Sequence, residues 1–112
     1  MAGITKVFRT DRFTLHYDQA KLIVEGKEVI CPAKEFQLLK FMCQHPNQVF
    51  SIDHLYEKVW EDYSIVGREN TVMVHISRLR QKIEKDPKHP EILKNVRGLG
   101  YMLSNENQRS SQ

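Results

Sequence analysis

Val72, Ile76, Leu79 and Ile83 recur at spacings of four, three and four residues. At about 100° per residue they fall on one narrow helical stripe, which has to face a core. The other side of the same helix carries Thr71, Val74, Arg78, Gln81 and Lys82, with His75 on its flank. Donors and cations therefore project where an ordinary surface helix mixes both charge signs. Such a face suits the major groove of a DNA duplex, which admits one α-helix. Just beyond it, residues 92–96 have strand character, residues 97–100 make a turn containing Gly98 and Gly100, and residues 101–103 return as a second strand. Lys94 and Arg97 lie near the tip of that hairpin.

The charge distribution follows the same division. The net charge is only +3, but residues 68–100 hold eight Lys/Arg against four Asp/Glu, whereas residues 1–67 hold eight against nine. Like charges gathered together repel, so a local excess points to a polyanionic partner, although clusters of this size also occur on inert surfaces. A chain of 112 residues is long enough for one domain with a single core and no disulfide or metal staple. Cys31 and Cys43 match neither a metal spacing nor a redox motif and are expected to be reduced, buried thiols of a cytoplasmic protein. No apolar run approaches the roughly 18 residues of a membrane span, and residues 1–10 lack a signal-peptide core. A soluble protein is expected.

Ahead of the basic helix, residues 13–17, 21–24 and 27–30 read as three short antiparallel strands, with Gly26 in the second turn. Residues 33–44 carry Phe36, Leu38, Leu39, Phe41, Met42 and Cys43 over more than half the wheel, the pattern of a central helix that Pro32 starts and Pro46 ends. A second helix, 52–60, has Ser51 as N-cap and Ile52, Leu55, Tyr56, Val59 and Trp60 along one side. Residues 61–68 form a loop, and Asn70 is placed to cap the third helix. The order of sheet, three helices and hairpin defines an α+β fold, a winged helix-turn-helix with a long turn. The folded domain is expected over residues 11–104. Residues 1–10 read as linker or added residues, and 105–112 as a frayed tail.

The chain resembles the C-terminal effector domain of OmpR/PhoB-type two-component response regulators. The resemblance rests on Glu35-Phe36 with Leu38-Leu39, Pro46 and Ser51, Val59-Trp60, the run from Asn70 to Ile76, Arg78-Leu79-Arg80, and Val96-Arg97-Gly98-Leu99-Gly100-Tyr101. These pieces stand in the family's order and spacing over residues 13–103. The resemblance implies a four-stranded N-terminal sheet, a winged helix-turn-helix and sequence-specific promoter binding in bacteria. It also implies head-to-tail pairing on direct repeats, with an isolated domain that is monomeric and binds weakly, and a receiver domain ahead of this one in the full-length chain. Three positions depart from the pattern. Pro32 replaces the usual hydroxyl residue that pairs with Glu35, Ser77 stands where many members have Arg, and Met73 where some have an acid. The last two point to fewer phosphate contacts and a different base preference.

Arg78 is the first candidate for a base contact, because a guanidinium bonds both acceptors of guanine. Val74 faces the same way and fits a thymine methyl, although an exposed valine needs no explanation. Arg97 at the hairpin tip suits a narrow minor groove. The residues expected at phosphates are Trp60, Asn70, Thr71, His75, Ser77, Arg80, Lys82 and Tyr101. Core packing is the rival reading for Trp60 and His75, and an intramolecular ion pair for Arg80. By resemblance, residues 61–67 contact RNA polymerase through Glu61, Asp62, Tyr63 and Ile65; a solvated loop is the alternative. His16, His45, His54, His75 and His89 are scattered over different elements, and no nucleophile elbow or phosphate loop occurs, so neither enzyme, metal site nor cofactor is expected. Two rivals to sequence-specific binding remain. One is a protein-interaction module with an idle DNA face, against which the outward Thr71, Val74 and Arg78 argue. The other is a non-specific chromosome binder.

Overall fold

The structure, a computed structural model, describes residues 6–105. The expected behaviour of residues 1–5 and 106–112 lies outside the described residues.

Four strands, β1 (Val7–Arg9), β2 (Phe13–His16), β3 (Lys21–Val24) and β4 (Lys27–Val29), form an antiparallel sheet in sequence order. Its register follows the alternation of side chains. Phe13, Leu15, Leu22 and Val24 are buried on one face, while Thr14, His16 and Ile23 stay partly exposed on the other. Strand β1 corrects the expected linker: Val7, Phe8 and Arg9 pair with His16, Leu15 and Thr14, so the folded domain begins before residue 11. Three residues are too few for a periodic signal, and the pairing with β2 places them.

Helix α1 (Ala33–Cys43) starts after Pro32, which makes no side-chain cap, and buries Phe36, Leu38, Leu39, Met42 and Cys43. Helix α2 (Ile52–Trp60) is capped by Ser51, whose hydroxyl accepts from the His54 N–H at 3.1 Å, and ends at Glu61 in the left-handed region with φ 55°. Helix α3 (Arg68–Ile83) places Val72, Ile76, Leu79 and Ile83 in the core, all with 1% exposure or less. Packed against α1 and α2, each such side chain contributes about 1.5–3 kcal/mol of transfer free energy. The expected cap is corrected here. The helix begins at Arg68 with Gly67 as N-cap, and Asn70 lies within the first turn, exposed.

Strands β6 (Leu93–Val96) and β7 (Gly100–Leu103) form the predicted hairpin, and a two-residue strand β5 (Val49–Phe50) completes a second sheet in the order β5-β7-β6. Sequence gave no sign of β5. It pairs Phe50 with Tyr101 and Val49 with Met102, so its partner lies half the chain away. The pairing explains Gly100. This residue has φ +146°, and a Cβ there would sit 1.9 Å from the Phe50 carbonyl oxygen. The glycine is required by close approach of two protein backbones.

Candidate nucleic-acid interface

The face of α3 turned away from the core presents Asn70, Met73, Ser77, Arg78 and Gln81 as exposed residues, with Thr71 and Val74 half-buried among them. Arg78 makes no hydrogen bond or ion pair among the described residues. The other cations of the helix are engaged inside the protein. Lys82 places its ammonium 2.6 Å from the Glu35 carboxylate on α1, with side chains 22% and 3% exposed. Lys82 therefore acts as the partner of a buried carboxylate, a role that competes with its expected place at a phosphate. At the flank of the polar face it is close enough to α1 to satisfy Glu35, which its own helix leaves without a capping hydroxyl.

Arg80 also turns inward, as a brace and not as an ion pair. Its Nε donates to the Leu93 carbonyl at 2.9 Å, one Nη donates to Asn95 at 3.2 Å, and the guanidinium lies over the Tyr101 ring. Tyr101, expected at the DNA backbone, is a core residue with 6% exposure. Just below, the buried Glu84 carboxylate accepts from the backbone N–H groups of Glu91, Ile92 and Leu93 at 2.7–3.1 Å. Arg80 and Glu84 thus fix the base of the hairpin to the third helix. Glu84 was not foreseen: a carboxylate that serves three amides of a later loop leaves no local signature.

At the hairpin tip, the Leu99 N–H donates to the Val96 carbonyl at 2.8 Å, and Gly98 takes φ +78°, a value that side-chain-bearing residues rarely adopt. Arg97 is exposed there and unpartnered among the described residues.

On the opposite flank of α3 a ring stack leads back to α2. His75 Nδ1 lies 2.8 Å from the Thr71 carbonyl, which fixes the ring, and Nε2 is not buried. The ring meets Trp60 edge-on at 4.8 Å, and Trp60 stacks on Tyr56 at 5.5 Å. Both readings of Trp60 have a place in this geometry: its ring packs against the core cluster, while its indole N–H has no partner among the described residues and is not buried.

Residues 61–67 project Tyr63, Ile65 and Val66 with 75%, 78% and 90% exposure. Asp62 faces back into the loop, accepting from the Ser64 N–H at 3.0 Å and the Tyr56 hydroxyl at 2.8 Å. Those two bonds, the backbone one foremost, hold its carboxyl below the usual carboxylate range. Val66 joins the exposed apolar set, with no local pattern in the sequence to mark it. Among the described residues no group of three His, Cys, Asp or Glu side chains is placed to hold a metal, and no helix is long and apolar enough to cross a membrane.

Residues 26–103 match the family model described as "Transcriptional regulatory protein, C terminal". Over 96 residues the chain is 52% identical to the transcriptional regulatory protein YvrH of Bacillus subtilis (strain 168), covering 86% of this chain and 40% of that protein. It is 38% identical over 97 residues to the alkaline phosphatase synthesis transcriptional regulatory protein SphR of Synechococcus elongatus, covering 87% of this chain and 37% of that protein. The chain thus spans about 40% of the length of these relatives. Among solved structures, the response regulator DrrB of Thermotoga maritima, an OmpR/PhoB homolog, superposes with a TM-score of 0.81 at 28% identity, over 89% of this chain and 45% of that one. The DNA-binding domain of RstA from Klebsiella pneumoniae, in complex with the RstA box, gives 0.79 at 25% identity, over 90% and 99%. With a matched family model that runs from β4 through the hairpin, and a fold shared with these neighbours, the chain belongs to the C-terminal effector domains of OmpR/PhoB-type transcriptional regulators.

Proposed function

We propose that this domain binds double-stranded promoter DNA sequence-specifically, with α3 in the major groove and the hairpin in the adjacent minor groove. The observation that carries this reading is the sorting of the arginines. Arg80 is spent inside the fold, whereas Arg78 on α3 and Arg97 at the hairpin tip are exposed and unpartnered among the described residues. Arg78 reads guanine, and Val74 beside it meets a thymine methyl. Arg97 enters the minor groove, where the potential is most negative. Thr71, Nε2 of His75, the indole N–H of Trp60, Asn70 and Ser77 set the register against phosphates without reading sequence.

The full-length protein, on this reading, is a cytoplasmic response regulator with a receiver domain, pairing head to tail on direct repeats. It acts by binding and catalyses no reaction. The loop of residues 61–67 meets RNA polymerase, a role supported by its outward Tyr63, Ile65 and Val66.

The test is selection of duplexes from a random pool, followed by anisotropy titration of the selected and a scrambled duplex. An enriched repeat is expected, with Arg78→Ala reducing discrimination by about 1–3 kcal/mol. No enrichment, or equal binding to both duplexes at physiological salt, refutes sequence-specific readout and leaves a non-specific binder or an interaction module.

A further inference from the structure

Arg68 is an arginine at the start of a helix, where the side chain is ordinarily solvated, yet its exposure is 7%. All three guanidinium nitrogens are used. Nε and one Nη donate to the Ser64 carbonyl at 2.8 and 2.7 Å, and the other Nη reaches Glu57 at 3.1 Å and Asp53 at 3.3 Å, both on α2. The guanidinium also lies 5.1 Å from the centre of the Tyr56 ring, and the Tyr56 hydroxyl in turn donates to Asp62. A buried cation is retained only where such partners surround it. The consequence falls on residues 61–67, which contain neither helix nor strand. Ser64 in the middle of the loop is held by Arg68 and Asp62 near its start by Tyr56 of α2, while Tyr63, Ile65 and Val66 between and beyond them point into solvent.

We infer that Arg68 is the positioning residue of this loop. It fixes residues 61–67 in one conformation before any partner arrives, so that Tyr63, Ile65 and Val66 form a ready-made apolar knob. A partner protein then binds without having to order the loop, and the affinity otherwise lost to ordering is retained. The inference rests on the reading of this loop as the polymerase contact. Arg68 touches neither DNA nor polymerase; it acts through Ser64 and α2.

The test compares Arg68→Met with the double variant Ile65→Ser/Val66→Ser. Each is measured by amide hydrogen exchange over residues 62–67, by anisotropy with the duplex recovered above, and by supershift of that complex with purified Bacillus subtilis RNA polymerase. Arg68→Met is expected to bind the duplex within about threefold of the parent and to exchange its loop amides at least about tenfold faster. Its supershift is expected to fall to that of the double variant. Unchanged exchange overturns the inference, as does a loss of DNA affinity equal to the loss of supershift, since Arg68 would then act through α3. A faster loop with full supershift also overturns it when the double variant has lost its supershift. If the double variant keeps its supershift, the polymerase reading fails, and the exchange rates alone judge Arg68. Should Arg68→Met fail to fold by circular dichroism, Glu57→Gln loosens the same anchor and must speed loop exchange in the same direction; if it does not, the inference falls.

Discussion

Replacing Lys82 with Met separates folding from DNA binding, two roles between which sequence alone does not decide for a lysine on this helix. Its ammonium is 2.6 Å from Glu35, whose side chain is 3% exposed and has no other partner among the described residues. Removing one member of a buried pair costs about 3–5 kcal/mol, because the other charge stays desolvated. Lys82 is 22% exposed, so water offsets part of this, and the lower end applies. A domain of about 100 residues loses about 4–8 °C of Tm per kcal/mol, so a loss of about 3 kcal/mol lowers Tm by about 12–24 °C. Glu35→Met/Lys82→Met removes both charges and is expected to recover most of the loss. Thermal and urea unfolding of the two single variants and the double variant measure this coupling. Anisotropy against salt measures the rest: a lysine that neutralises a phosphate changes the slope of log K on log salt by about 0.9, and Lys82→Met is expected to leave the slope unchanged. If the variant keeps its stability within about 0.5 kcal/mol and its salt slope drops by about one phosphate, the ion-pair reasoning is refuted and Lys82 belongs to the DNA face.

Two other perturbations test neighbouring parts of the fold. At Gly100 an added Cβ meets the Phe50 backbone, which cannot yield as a flexible side chain would. Gly100→Ala is therefore expected to cost about 3 kcal/mol or more in urea unfolding, against about 1–2 kcal/mol for Gly98→Ala, which has positive φ but nothing within 4 Å of a new Cβ. Equal losses would remove the argument from close approach. Burial, with help from Glu35 and against the effect of Lys82, pushes the Cys31 thiol up to about 11, and burial alone raises Cys43 well above the ordinary value of 9.0. Both folded values exceed the unfolded one, so the stability they represent is complete below pH 9 and is lost as pH climbs through the folded values. Alkylation by iodoacetamide at pH 8 is expected to be slow in the native protein and fast in urea; rapid native labelling of Cys31 would contradict this.

The elements legible in the sequence are those whose signal is local. Val72, Ile76, Leu79 and Ile83 declare α3 by spacing alone, Ser51 declares the start of α2 by its hydroxyl, and Gly98 and Gly100 after Arg97 declare the hairpin. The features that stayed hidden depend on a partner distant along the chain. Strand β5 exists because Phe50 pairs with Tyr101, and Lys82 is turned inward by Glu35, 47 residues earlier. Asn70 looked like a cap because asparagine is a good one. The helix instead starts two residues earlier, at Arg68, whose side chain is bonded to Ser64 and to α2. The fourth strand of the first sheet came from family resemblance; Val7–Arg9 alone carries no pattern that would have found it.

The same hidden contacts change what the charge count means. Read as a sum, α3 offers Arg68, Arg78, Arg80 and Lys82 to a polyanion. In the fold, Arg68 neutralises carboxylates on α2, Lys82 neutralises Glu35, and Arg80 serves carbonyl groups at the base of the hairpin, so Arg78 is the cation of that helix left unpartnered among the described residues. Three cations that add little to non-specific attraction instead hold the loop, the first helix and the hairpin in fixed relation to α3. Discrimination between duplexes gains from such an arrangement, because each charge removed from general phosphate attraction weakens binding to all sequences alike. On the proposed reading, Arg78 and Arg97 keep the contacts that differ between one sequence and another.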